Sequence, residues 1–209
     1  MLILTLPAFV AFLALAVATI AQEADSSSAE LTPAEISDLG VSWVAVQALW
    51  AAPSVLAAIG LVLLARRLRL PRTAAVPALG AAAVVLAVAY LVVQVLAFGV
   101  DGATWGDSRL YPLGVVLSLA VGWVGTLPAT LLVTVALARG GIVRKTAWTI
   151  ATLTALYFIV ELLTYLPVLL GPATLAETAG LPPFLLGIFW AVLGGVLLRT
   201  RVPSGASPQ

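Results

Sequence analysis

The sequence contains no cysteine and no histidine. Without cysteine there is no disulfide, thiolate nucleophile, thiolate-held metal or CxxC redox pair. Without histidine there is no His-ligated haem or zinc, no Ser-His-Asp triad and no imidazole proton relay. Charge is equally scarce. The 209 residues carry 10 Lys+Arg and 9 Asp+Glu, 9% in all, against about 25% in a soluble domain. Charges this sparse cannot cover a water-soluble surface. Soluble, disordered, collagenous and nucleic-acid-binding proteins are therefore excluded. The net charge of +1 says nothing about partners.

Apolar residues make up 62% of the chain. That is roughly 130 residues, the amount consumed by about six spans of ~20 residues each. Six apolar stretches stand out, at about 2–21, 41–65, 73–100, 110–138, 146–170 and 183–198. They are too long and too uniformly apolar for barrel strands, which alternate over ~10 residues. The expected fold is all-α, a single polytopic bundle of transmembrane helices filling the whole chain.

The basic residues set the expected orientation. Arg66, Arg67, Arg69 and Arg72 follow the second stretch, Arg139, Arg144 and Lys145 follow the fourth, and Arg199 and Arg201 follow the sixth. Arg109 alone lies elsewhere, between Asp107 and the fourth stretch. The positive-inside rule then puts both termini in the cytoplasm of a cell-membrane protein, with residues 199–209 as a cytoplasmic tail. The segment 22–40 becomes an outer acidic loop holding Glu23, Asp25, Glu30, Glu35 and Asp38. Thr32, Pro33 and Glu35 form a capping box there, which predicts a short helix from Pro33. The first stretch also reads as a signal-peptide core ending at Ala16-Val17-Ala18, although no basic residue precedes it. An uncleaved span is expected; cleavage would leave five.

Two patterns within the spans carry information. The fourth stretch holds a row of small residues four apart: Gly114, Ser118, Gly122, Thr126, Thr130, Thr134 and Ala138. Residues four apart share a helix face, and small side chains let backbones approach closely. The row predicts a packing groove, with hydroxyls bonded across it or back to their own helix. A hydroxyl-lined solute path is the alternative. Pro128, inside the row, should kink the helix or free a carbonyl. In the fifth stretch Thr154, Tyr157, Glu161, Thr164 and Tyr165 fall on one face. Glu161 is the sole acid well inside a span. An acid at mid-membrane costs roughly 2.5–3.5 kcal/mol on the insertion scale, so it should face the bundle interior. Hydrocarbon favours its neutral form. Tyr157, Tyr165, Gln47 and Gln94 are candidate hydrogen-bond partners. Such a cluster serves either as a protonatable coupling site or as interhelical glue. Trp43, Trp105 and Trp148 read as interfacial anchors, and Trp50, Trp123 and Trp190 as bundle fillers.

These features point away from catalysis. No Walker A, GxGxxG or HExxH motif occurs, and one intramembrane acid makes no aspartyl dyad. No metal or cofactor is expected. The leading expectation is a non-catalytic accessory, regulatory or lipid-interacting protein. Its partners are the lipid bilayer and either another membrane subunit or a second copy of the chain. The alternative is a small proton-coupled carrier or channel for an apolar or lipid-like solute, using Glu161. Prolines recur before the basic ends of the even spans, Pro53 to Arg66, Pro128 to Arg139 and Pro183 to Arg199, which would fit three related hairpins. In its six-span pattern and these proline-to-arginine ends, the chain resembles uncharacterised six-span membrane proteins of actinobacteria. The resemblance implies a cytoplasmic-membrane location and carries over no site residue.

Overall fold

The computed structural model describes residues 41–100, 110–170 and 184–200, with scattered positions between 2 and 14. The described residues form helices and turns, with no strand among them. In order they are α1 (Val41–Arg67), α2 (Val76–Val100), α3 (Tyr111–Ala120), a π-helical turn (Val121–Thr126), α4 (Leu127–Arg139), α5 (Arg144–Leu169) and α6 (Phe184–Arg199). A 3-10 turn covers Leu2–Leu4. The expected helix at Pro33 falls outside the described residues, as do residues 15–40, 101–109, 171–183 and 201–209.

Among the described residues four stretches are long and apolar enough to cross a membrane: Ala48–Arg67, Val76–Leu96, Leu113–Arg139 and Arg144–Pro167. The third combines α3, the π turn and α4. Helix α6 has 16 residues, about 24 Å of rise, which is short of a ~30 Å hydrocarbon core. An all-helical form is one that hydrocarbon would accept, because each helix bonds its backbone within its own segment. The outer faces are correspondingly greasy. Leu63, Val85, Val88, Val92, Leu153, Leu156, Ile159 and Leu163 are all exposed.

Both described hairpins reverse in the same way. Leu70 N–H bonds the Ala65 carbonyl at 3.2 Å, and Arg69 N–H bonds that of Arg66 at 3.3 Å. Ile142 N–H bonds Leu137 at 3.0 Å, and Gly141 N–H bonds Ala138 at 3.3 Å. Each pair is a Schellman motif, which ends a helix on a left-handed residue. Gly141 takes that place with φ 74°, and Arg69 takes it with φ 46°. Leu70 then turns inward and is buried. Arginines at the ends of α1, α4 and α6 also suit the negative pole of each helix.

Glycines fix how the helices pair. A Cβ on Gly80 would lie 2.6 Å from Val62 Cγ2, so α1 and α2 pack backbone to side chain. Gly114 faces Gln94, and Gly125 faces Ala83, so eleven residues separate the two contacts on each helix. Helix α2 therefore runs antiparallel to the α3–π–α4 stretch. The turn holding Arg72 lies level with the turn holding Arg139. Leu70, Ile142 and Val143 from those turns pack into one core cluster with Leu61, Leu137 and Trp190. A second cluster at the other end joins Ala51, Ala87, Tyr90 and Val121. Thr5 Oγ1 lies 3.2 Å from the Gly187 carbonyl, which ties the N-terminal residues to α6.

The prolines of the even spans are not equivalent. Pro53 lies inside the continuous helix α1, whereas Pro128 directly follows the π turn. Pro183 falls outside the described residues.

Candidate functional site

Helix α5 presents one inward stripe. Ala147, Ile150, Ala151, Thr154, Tyr157 and Glu161 are all buried, and they recur at three- and four-residue steps. Glu161 retains only 7% of its surface. Thr164 and Tyr165 are half-buried at the edge of the same stripe. The opposite side of α5 is the exposed Leu153, Leu156, Ile159 and Leu163. An acid at this position must turn inward, because the outward positions meet hydrocarbon.

The nearest framework comes from the interrupted fourth span. Leu127 N–H bonds the Gly122 carbonyl five residues back, where an α-helix would bond four back. Pro128 supplies the local reason. It has no N–H, so the α-helical bond that position should make cannot form. Gly122 and Gly125 let the backbone widen without side-chain cost. The expected disturbance at Pro128 thus takes the form of a π turn just before it.

This turn aims Trp123 at α5. Its ring meets Phe158 edge-on at 6.3 Å, and Tyr165 at 6.1 Å and 66°. Phe158 and Tyr165 lie three residues before and four after Glu161. Trp123 therefore stands over the helical turn that carries the acid. Such edge contacts add to packing beyond buried area. On the other side the π turn is clamped. A Cβ on Gly125 would come within 2.7 Å of Ala83 Cα and 3.0 Å of Ala83 N. Helix α2 can approach that closely only because residue 125 is glycine.

The small-residue row has two ends with different surroundings. Thr126, Thr130 and Thr134 are fully buried. Thr130 Oγ1 donates to the Thr126 carbonyl at 2.6 Å, and Thr134 Oγ1 to the Thr130 carbonyl at 2.7 Å. Trp190 of α6 donates its indole N–H to Thr130 Oγ1 at 3.0 Å. Ser118 bonds back to the Val115 carbonyl at 2.8 Å. Gly114 receives Gln94, whose Nε2 would lie 3.1 Å from a Cβ there. Among the described residues Gly122 has no such neighbour. A Cβ on it would meet Leu127 alone of these, 4.0 Å away in its own stretch.

Among the described residues, two buried side-chain atoms make no hydrogen bond, Gln94 Oε1 and Thr154 Oγ1. Gln94 is 1% exposed. It sits beside Gly114, nine residues from Trp123, on the order of 13 Å along the helix axis. The structure thus separates Gln94 from Glu161 and keeps Thr154, Tyr157, Glu161 and Tyr165 together. Gln47 lies in α1, and its side chain is outside the described residues. Sequence reasoning missed Gly125 and Phe158 and took Trp123 as filler. The available signal was Pro128, which breaks regular spacing just after V-G-W-V-G-T. Trp190 is buried and Trp148 is exposed, while Trp50 is half-buried. The side chain of Trp43 and all of Trp105 fall outside the described residues. Among the described residues no three Asp or Glu side chains gather into a metal-binding group.

Compared with known protein families, curated proteins and solved structures, the chain matches none.

Proposed function

We infer that the chain is a six-span protein of the cytoplasmic membrane, with both termini in the cytoplasm, that works without catalysis. Its role is accessory, regulatory or lipid-interacting, exercised through its intramembrane surface on lipid, another membrane subunit or a second copy. The level basic turns of the two hairpins support the orientation. The observation that carries the functional reading is the treatment of polar groups indoors. The hydroxyls of Thr126, Thr130 and Thr134 are buried, and those of Thr130 and Thr134 bond their own backbone. They are satisfied by the helix and offer a passing solute little. Large apolar side chains, among them Trp190, Leu61 and Leu137, fill the space around them.

The test is a native mass spectrum of the protein released gently from its own membrane. The reading predicts a second chain at fixed stoichiometry, or retained lipid. A bare monomer that holds neither would contradict it.

A second reading has its own support. The π turn, Trp123 and buried Glu161 meet at one level of the bundle, and π turns recur at functional sites. On this reading Glu161 is a working acid in a small carrier or channel for an apolar or lipid-like solute.

A further inference from the structure

We propose that the turn of α5 bearing Glu161, with Trp123 of the π turn over it, binds a monovalent lipophilic organic cation. The proposal rests on the second reading, in which Glu161 is a working acid, and it names the class of ligand.

Three aromatic rings meet at this level, Trp123, Phe158 and Tyr165, and the buried Tyr157 lies one turn before Glu161 on the same helix. Trp123 is within ring contact of Phe158 and Tyr165. Glu161 lies between those two on the same helical face. A carboxylate supplies charge, and ring faces supply a second, desolvated attraction for cations. That combination suits a large cation with a greasy surface. A small hydrated metal ion suits it poorly, since Ca²⁺ takes six to eight oxygen ligands.

The frame is fixed on one side and uncrowded on the other. Gly125 is pressed against Ala83, while among the described residues nothing outside its own stretch approaches the Cβ position of Gly122. The residue next to Gly122 is Trp123 itself. Access is lateral. Trp123 and Tyr165 are half-buried, and Leu162 and Leu166 beside them are exposed on the lipid-facing side. A lipophilic cation already dissolved in the membrane reaches such a site without an aqueous path.

Protons compete for the same carboxylate. The titratable neighbours on α5 are Tyr157 and Tyr165. Among the described residues, the charged groups on the helices packed against α5 are Arg139 on α4 and Arg199 on α6, each at the last residue of its helix. Arg139 adjoins the turn that opens α5, seventeen residues before Glu161, about 25 Å along the axis. Binding therefore follows the ionisation of Glu161.

The test is equilibrium binding of tetraphenylphosphonium to the purified full-length protein in detergent, measured across pH. Wild type should bind saturably, and more tightly as pH rises. Glu161→Gln should weaken binding by about tenfold or more and flatten the pH dependence. Glu161→Asp should restore part of both. Trp123→Leu should weaken binding roughly threefold or more while keeping the pH dependence. Each variant is checked by its melting curve. No saturable binding by wild type, or equal binding by Glu161→Gln, would overturn the proposal. Infrared titration of the carboxyl band separates the two levels. A band that titrates in wild type and vanishes in Glu161→Gln, with no cation bound, removes the cation and leaves the working acid. Absence of any titrating band removes both.

Discussion

Thr130 joins two helices, α4 and α6, by a polar side-chain bond. It accepts the Trp190 indole N–H and donates its own proton to the Thr126 carbonyl. Both side chains are buried, so neither can turn to water or to headgroups. Removing one partner leaves the other unsatisfied in an apolar setting. A double-mutant cycle of Thr130→Val and Trp190→Phe, read by thermal unfolding in detergent, should give a coupling of about 0.5–1.5 kcal/mol. A coupling near zero would mean the bond contributes nothing to stability. The row that includes Thr130 was legible in the sequence, because equal spacing needs only helical geometry. Its bond to Trp190 was not. No local pattern tells which indole meets which hydroxyl across 60 residues of chain. Glu161 was legible as inward-facing for a simpler reason. A lone acid amid leucine and isoleucine has one tolerable direction.

At the scale of elements the π turn decides most of what differs from the sequence reading. A row at four-residue spacing presumes regular α-helix throughout. One π turn adds a residue and rotates everything that follows. The close approach to α2 accordingly falls on Gly125, outside the row, and Gly122 is left loosely surrounded. Gly125→Ala should destabilise by about 1–3 kcal/mol, since the added carbon meets the Ala83 backbone, which cannot swing aside. Gly122→Ala should be close to neutral, or slightly stabilising through helix propensity. Unfolding midpoints of the two variants provide the check. Equal effects would show that Gly125 is not the clamp. Among the described helices the bounds follow from the sequence to within three residues, the widest gap being 73 against Val76. The Schellman turns do not. The first depends on Arg69 entering a left-handed conformation that arginine seldom adopts. That conformation is imposed by the buried seat of Leu70 beyond it.

At the scale of the whole molecule the described helices are sheathed in apolar side chains, and α2 runs antiparallel to the α3–π–α4 stretch. Among the described residues four helical stretches have the length and composition to cross a membrane. The level of Gly114 with Gln94 and of Gly125 with Ala83 brings the two basic turns to one end. Positive charge collected at one end is what the positive-inside rule requires of a cytoplasmic face. The grouping of the basic residues was visible in their sequence positions alone. That the two turns lie level was not, because it depends on the pairing of α2 with the interrupted span.

The absence of cysteine makes the decisive measurement clean, since any introduced thiol is the only one present. Single cysteines at Ser28, Ala74, Ala103 and Gly140 are to be labelled on intact cells with a membrane-impermeant maleimide. Ser28→Cys and Ala103→Cys should react from outside. Ala74→Cys and Gly140→Cys, both in the basic turns and both exposed, should react only after the membrane is permeabilised. Labelling of Ala74→Cys or Gly140→Cys on intact cells, or protection of both Ser28→Cys and Ala103→Cys, would contradict the account.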